Sequence, residues 1–211
     1  MCGKFTQMMS WGAYVALADL IGRSDGPSET VTPMRFATVI RLGGPGAREA
    51  VRMRWGLIPP GAKDPNASPF IHARAETIDQ RPTFAAAFRH RRGLVVVKTF
   101  NEGKEITPSK TEQHVIAPDD GSLLAIAVIW ERWGEMLETF AMVTVAANNL
   151  IATITDRMPA IVPPEHWAKW LGEEPANSNE LKNILAPVEG DWTMRPEKTP
   201  RFRGNDQPNL F

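Results

Sequence analysis

The residue with the clearest chemical potential is Cys2, the one cysteine of the chain, which directly follows Met1. A small second residue favours removal of the initiator methionine, which would leave an α-amine and a thiol on Cys2. That amine has a reference pKa of about 7.7–8.0, so a useful fraction is neutral near pH 7. Such a residue can attack an aldehyde and close a thiazolidine ring, or attack an amide carbonyl as a thiolate. The alternative is an inert, buried cysteine.

Six short segments that span nearly the whole chain help to decide between these alternatives. They are Met1–Phe5, Arg54–Pro59, Ala73–Thr77, Trp130–Trp133, Val143–Asn148 and Asp156–Pro159. Their content and order resemble the SOS response-associated peptidase (SRAP) family. Each segment alone is weakly specific, but together they identify the chain as a divergent member.

The resemblance implies a concrete activity. SRAP proteins bind single-stranded DNA at abasic sites, and their N-terminal cysteine forms a thiazolidine with the aldehyde of the ring-opened sugar. The family is also credited with peptidase-like removal of its own first residue. Its fold is a mixed domain of helices and strands with a positively charged cleft that leads to the cysteine. Single-stranded DNA with abasic sites is therefore the expected partner.

The resemblance also extends to individual positions. Cys2 matches the nucleophile, and Glu102 matches a catalytic glutamate that can shuttle protons during imine formation and ring closure. The residues expected to contact DNA are Lys4, Pro33, Arg74, Thr144 and Arg157. We expect Lys4, Arg74 and Arg157 to line one cleft together with Cys2.

The chain departs from the family pattern at several positions of the expected site. His72 stands where the family has an active-site asparagine, and Thr155 stands where it has a histidine. Lys4 replaces an arginine, which keeps the charge but loses the bidentate fork. We still expect His72 and Thr155 to belong to the catalytic group. The ring of His72 should lie within hydrogen-bond reach of Cys2 or Glu102, where Glu102 would favour its charged form and Arg74 would oppose it.

These departures leave three hypotheses open. The first is a working protein that forms a covalent adduct with DNA through Cys2, and it is favoured because Cys2 and Glu102 are the least replaceable parts. The second is a module that binds single-stranded DNA without chemistry. The third is a thiol peptidase or amidase that uses Cys2 as its nucleophile. Formation of an adduct with abasic DNA would distinguish the first from the other two.

Composition limits the setting in which this chemistry would occur. A single cysteine excludes an internal disulfide and suits a reducing compartment. No apolar run is long enough for a membrane span, and the start does not resemble a signal peptide, so we expect a cytoplasmic monomer without membrane contact. The four scattered histidines do not have metal-ligand spacing, so neither a metal nor another cofactor is expected.

Charge is unevenly distributed although the net charge is zero. Residues 35–110 contain 14 Lys and Arg against 6 Asp and Glu, and the rest of the chain contains 10 against 18. The middle segment therefore carries an excess of eight positive charges. This excess fits either solvated strand and helix faces or a local surface that binds phosphate.

The hydrophobic pattern predicts an α+β fold in one domain, residues 1–211, with a curved, barrel-like mixed or antiparallel sheet and short flanking helices. Strands are predicted at residues 35–41, 51–57, 93–100, 114–116, 123–130 and 139–146, and helices at 11–21, 82–92, 148–154, 165–171 and 179–185. Residues 101–111 are interpreted as a polar connection. Residues 191–211, rich in Pro and Arg, are expected to form an irregular tail.

Overall fold

A computed structural model describes residues 2–8, 28–44, 46–64 and 69–197. The helix predicted at residues 11–21 lies outside the described residues, as do residues 198–211 of the expected tail. The described chain contains eleven strands that belong to one sheet, together with three short α-helices and three 3₁₀ turns. The α+β class predicted from the sequence is confirmed.

Strands and helices alternate unevenly along the chain. The strands are β1 (Lys4–Met8), β2 (Ser28–Val31), β3 (Phe36–Leu42), β4 (Arg48–Trp55), β5 (His72–Arg74), β6 (Arg92–Thr107), β7 (Lys110–Pro118), β8 (Leu124–Trp133), β9 (Leu137–Ala146), β10 (Arg157–Pro159) and β11 (Trp192–Pro196). The helices are α1 (Pro82–His90), α2 (Trp167–Leu171) and α3 (Ser178–Ile184), and the 3₁₀ turns are Ala75–Thr77, Ile151–Thr153 and Pro164–His166.

The sheet curves into a ring of pairings. Strand β9 pairs with β4, β4 with β3, β3 with β6, β6 with β8, and β8 again with β9. The interior holds large apolar side chains such as Trp55, Phe5 and Phe140, all fully buried. Trp55 stacks on Phe140 with 6.3 Å between ring centroids and an interplanar angle of 9°. Burying such rings is a major favourable contribution to folding.

Strand β6 connects this core to the amino-terminal strand. Its first half, Arg92–Val97, pairs with β8, whereas its second half pairs with β7 over Phe100–Thr107. Strand β1 pairs with β6 from Lys4 opposite Asn101 to Gln7 opposite Val97. Gly93 allows the close approach of β3, because an added Cβ would lie 2.7 Å from Val39 and 2.9 Å from the carbonyl oxygen of Ile40. This architecture places the start of the chain beside the middle of β6.

Two expectations about irregular segments are wrong. Residues 101–107 do not form a polar connection but continue β6, and Lys110 and Thr111 already belong to β7. Residues 192–196 of the expected irregular tail form β11, which pairs with β7 over five positions. In both cases the polar residues gain ladder hydrogen bonds from a neighbouring strand, which a local pattern does not reveal. The helix predicted at 148–154 is only the 3₁₀ turn Ile151–Thr153.

Among the described helices, none is long and apolar enough to cross a membrane.

Candidate functional site

Cys2 lies fully buried just before β1. Its Sγ donates to the carbonyl oxygen of Lys4 at 3.4 Å, and the backbone N–H groups of Lys4 and Asn101 are also hydrogen-bonded to the sulfur. Burial raises the pKa of the thiol far above its ordinary value, and the nearby Glu102 carboxylate raises it further. The thiol is therefore a neutral, positioned group rather than a ready thiolate.

Glu102 lies on β6 next to Cys2 and is also fully buried. The backbone N–H of Cys2 lies close enough to its carboxylate to favour the charged form and so to lower the pKa of Glu102. Burial raises the pKa of Glu102 to about 7, and the charge of Asp156 contributes in the same direction. A carboxyl group with this pKa can both donate and accept a proton near neutral pH. This carboxyl group lies beside the backbone nitrogen of Cys2.

His72 lies on β5 and reaches Cys2 from another side. Its Nε2 donates to the backbone carbonyl oxygen of Cys2 at 2.7 Å, so the expected hydrogen-bond contact between these residues is confirmed. Because a carbonyl oxygen can only accept, this bond places the proton of the neutral ring on Nε2. The ring also packs edge-on against Trp55, with 6.2 Å between centroids.

The charges that were expected to set the pKa of His72 are not the ones that shift it. Burial lowers the pKa of His72, and the hydrogen bond to the carbonyl of Cys2 opposes this shift. Neither Glu102 nor Arg74 is among the causes of the shift. His72 is therefore a neutral hydrogen-bond donor at pH 7, as an asparagine would be.

Thr155 lines an open cleft of about 690 Å³ that lies beside this buried group. The cleft is lined by Gly3, Lys4, Thr32, Gly103, Glu105, Thr111, Gln113, Ile154, Thr155 and Asp156. Among the lining residues, one is a cation and two are carboxylates, so these residues do not form the positively charged cleft expected from the sequence. Arg74 and Arg157 are not among them, although both were expected to line it with Lys4.

The residues expected to contact DNA differ in their accessibility. Arg74 is exposed at the end of β5. Arg157 donates to both carboxylate oxygens of Glu76, at 2.6 and 3.0 Å. It also donates to the carbonyl oxygen of the buried Thr144 at 2.7 Å. Thr144 therefore supports Arg157 from within the sheet. Pro33 is half-buried in the turn between β2 and β3.

A comparison with known protein families shows to which family the chain belongs. The model of the SOS response associated peptidase (SRAP) family matches residues 1–199. The chain belongs to the SRAP family. The matched range contains every residue of the group around Cys2 and every residue that lines the cleft.

The chain is also similar to individual proteins and to solved structures. The chain is 30% identical over 200 residues to the abasic site processing protein YobE of Bacillus subtilis, covering 90% of this chain and 91% of that protein. It is 27% identical to the abasic site processing protein YedK of Escherichia coli, covering 88% and 86%. A solved structure from Bacteroides thetaiotaomicron has the same fold, with a TM-score of 0.75 at 24% identity and 92% coverage of both chains.

Sequence reasoning missed two further residues of this SRAP site. Asn101, 3% exposed, has a side-chain Nδ2 without a hydrogen-bond partner among the described residues. Glu197 binds Lys4 Nζ through both carboxylate oxygens, at 2.5 and 2.6 Å. The sequence signal for Asn101 was its place directly beside Glu102, but that segment was interpreted as a polar connection. Glu197 gave no signal, because it lies in the expected irregular tail.

Among the described residues, no group of three or more His, Cys, Asp or Glu side chains is arranged to hold a metal ion.

Proposed function

We propose that this SRAP protein binds single-stranded DNA at abasic sites and forms a thiazolidine crosslink through Cys2 once Met1 has been removed. The names of its relatives, which are abasic site processing proteins, support the choice of substrate. The observation that carries the proposal is the position of the Cys2 nitrogen against the buried Glu102 carboxyl group. This nitrogen is the atom that must attack the aldehyde.

The reaction follows from the groups around Cys2. The neutral amine attacks the aldehyde carbon of the ring-opened sugar and forms a C–N bond. The resulting carbinolamine loses its hydroxyl group as water, for which Glu102 in its acid form donates the proton. The thiol then adds to the imine carbon, which forms the C–S bond, and the thiol proton ends on the ring nitrogen. No oxidant, reductant or metal is required.

His72 positions Cys2 for this sequence of steps. Its hydrogen bond to the carbonyl oxygen of Cys2 restrains the backbone next to the reacting nitrogen. Thr155 lines the cleft, and its proposed role is to contact the sugar or its phosphates rather than to transfer protons. A threonine hydroxyl does not titrate near pH 7, so Thr155 would act by packing or hydrogen bonding.

Removal of Met1 by the protein itself belongs to the same proposal. Water adds to the carbonyl carbon of Met1, the amide bond to the Cys2 nitrogen breaks, and methionine leaves with a free carboxyl group. Glu102, which lies beside this nitrogen, can in its acid form protonate the nitrogen as it leaves. The buried, neutral thiol argues against general thiolate attack on peptides, since the thiolate is the nucleophile in thiol peptidases. We therefore infer self-processing rather than a broad peptidase activity. A monomeric state is part of the proposal as well.

Incubation with abasic single-stranded DNA, read on a denaturing gel, tests the proposal. Protein that mass spectrometry shows to lack Met1 should give a slowly migrating adduct that resists denaturation. Cys2→Ala should give none, and Glu102→Gln should form the adduct roughly 10²- to 10⁴-fold more slowly, the range typical for loss of a general acid.

The matched control is the same DNA with an intact base, which should give no adduct. Absence of any adduct from protein that lacks Met1 would overturn the crosslinking proposal. Reversible binding without an adduct would then favour a module that only binds single-stranded DNA.

A further inference from the structure

Lys4 and Glu197 form an ion pair at the cleft. Lys4 Nζ lies 2.5 and 2.6 Å from the two carboxylate oxygens of Glu197, and both side chains are partly buried, with exposed fractions of 26% and 32%. Glu197 is fixed by its backbone, since its N–H donates to the carbonyl oxygen of Gln113 at 2.7 Å. The preceding strand β11 is paired with β7 over five residues. The backbone that carries this carboxylate is therefore held by the sheet beside Lys4.

The ion pair removes positive charge from a cleft that has little of it. Lys4 is the one cation among the described residues that line the cleft, whereas Glu105 and Asp156 are negatively charged. An anion that enters the cleft meets these two carboxylates and a lysine whose charge is already neutralised. A phosphate can therefore reach the ammonium group only if Glu197 leaves it.

Asn101 provides an independent observation beneath this ion pair. It lies directly opposite Lys4 in the pairing of β1 with β6, so both side chains project from the same face of the sheet. Asn101 is 3% exposed, and its Nδ2 has no partner in the described part of the chain. A buried donor without an acceptor costs about 1–3 kcal/mol. Such a donor marks a place where an acceptor from outside the protein would be stabilised.

We propose that Lys4 and Asn101 form a subsite for an anionic phosphate oxygen, and that Glu197 occupies this subsite in the free protein. A backbone phosphate of single-stranded DNA displaces the Glu197 carboxylate, takes over the contact with Lys4, and accepts the hydrogen bond that Asn101 Nδ2 lacks. The identity of the ligand rests on the proposed function. Glu197 thereby restrains binding, so that only a ligand with several phosphate contacts displaces it.

Binding of unmodified, fluorescently labelled oligothymidylate, measured by anisotropy at several salt concentrations, tests the restraint. Glu197→Gln preserves the size of the side chain and removes its charge, so it should raise the affinity roughly three- to tenfold. The slope of log affinity against log salt concentration should become steeper by about 0.7. In wild type the phosphate only replaces the Glu197 carboxylate on Lys4, whereas in the variant it adds a new ion pair with Lys4.

The matched control is Glu173→Gln. Glu173 binds Arg48 through two contacts of 2.5 and 3.0 Å, both side chains are 23% exposed, and Glu173 does not line the cleft. The substitution Glu173→Gln makes the same change in net charge away from the subsite, so it should alter the affinity less than twofold. Equal gains from the two variants would overturn the proposal. A gain from Glu197→Gln that persists in a Lys4→Gln background would overturn it too.

Asn101→Ala tests the second half of the subsite. Because the amide nitrogen has no partner, its loss should leave the melting temperature unchanged or raised, while the affinity for the oligonucleotide falls about threefold or more. A lower melting temperature with unchanged affinity would assign Asn101 a purely structural role and remove it from the subsite.

The adduct assay separates this proposal from the proposed function. If wild-type protein gives no adduct but Glu197→Gln still binds oligothymidylate more tightly than Glu173→Gln, the subsite stands and the crosslinking proposal fails. If the adduct forms and Glu197→Gln has no effect on affinity, the crosslinking proposal stands and the subsite proposal fails. Failure of both wild type and Glu197→Gln to bind at low salt would overturn the subsite.

Discussion

At the scale of single residues, the site consists of polar groups that the fold buries at a cost. Glu102 is fully buried and has a pKa raised to about 7, and the Cys2 thiol beside it is buried and neutral. A buried carboxylate is unfavourable unless its charge is compensated. The same burial gives Glu102 a pKa near the working pH, where a proton shuttle is most effective. Reactivity and stability therefore oppose each other at this position.

The cost of burying the charged Glu102 carboxylate predicts that Glu102→Gln stabilises the protein by an amount that depends on pH. The folded-state pKa of about 7 is above the reference value of 4.5, so the wild type loses stability as pH rises from 4.5 to about 7. Above pH 7 that loss is complete and amounts to up to roughly 3 kcal/mol, at about 1.4 kcal/mol for each unit of pKa. Glu102→Gln should therefore unfold at higher urea concentration than wild type at pH 8, and the advantage should shrink towards pH 4.5. An advantage of the same size at both pH values would contradict this account.

At the scale of elements, β1 is the strand on which the site depends, because it holds Lys4 against β6 and carries Cys2 just before its first residue. The register of β1 on β6 shifts between Thr6 and Gln7. Beyond this shift, the side chain of Gln7 connects β1 to β3 by hydrogen-bonding to the backbone of Thr38. Its Nε2 donates to the carbonyl oxygen of Thr38 at 2.7 Å, and its Oε1 accepts from the N–H of Thr38 at 2.8 Å. Gln7 is 1% exposed, so this pair of hydrogen bonds joins two strands within the structure.

Gln7→Leu should therefore destabilise the protein more than its location on a short strand suggests. The variant keeps an apolar side chain of similar size but leaves the N–H and carbonyl groups of Thr38 without partners. We expect a loss of about 2–4 kcal/mol in the free energy of unfolding, from two unmet backbone groups. Urea denaturation measures the change, and faster hydrogen exchange in Lys4–Thr6 should accompany it. Thr6→Val, at a partly exposed position with one long contact of 3.5 Å to Thr30, is the control and should cost less than about 1 kcal/mol.

At the scale of the whole molecule, the positive excess of residues 35–110 is partly neutralised by carboxylates from elsewhere in the chain. Arg48 pairs with Glu173, Arg41 with Glu138, and Arg91 with Glu131. Charge counted along the sequence therefore overestimates the positive surface available to a polyanion. Arg74 differs, since it is exposed at the end of β5 and lies close enough to Glu76 to lower the pKa of that carboxyl group.

Arg74→Gln and Arg157→Gln should accordingly have different effects. Arg74→Gln should weaken binding of single-stranded DNA of any sequence and lower the log–log salt slope by about 0.7, as expected for one lost phosphate contact. Arg157 is held by Glu76 and by the carbonyl oxygen of Thr144, so Arg157→Gln should lower the melting temperature as well. Anisotropy titrations at several salt concentrations, together with thermal melts, measure both effects. A salt-independent affinity in the wild type would contradict the role of phosphate contacts.

The sequence by itself determined the family and the α+β class, and it singled out Cys2 as the candidate for the reacting residue. Short motifs carry family membership because each specifies local chemistry, as in the segment that contains Arg157. Long apolar segments such as Leu94–Val97 indicate strands because burial on both faces leaves no polar alternation. The sequence also suggested His72 as a substitute for an amide donor, and the structure places its ring on Cys2.

Only the tertiary structure decided what surrounds Cys2. Glu102 is one hundred positions away and meets Cys2 because β1 pairs with β6 in one register, and a single-residue slip would turn its side chain to the other face. The polar residues 101–107 resemble a loop locally, yet they form a strand because β7 supplies hydrogen-bond partners. Glu197 neutralises Lys4 because β11 pairs with β7 and brings the far end of the described chain to the cleft. Strand pairing is non-local, so the sequence can single out candidate reactive groups without revealing which charges lie beside them.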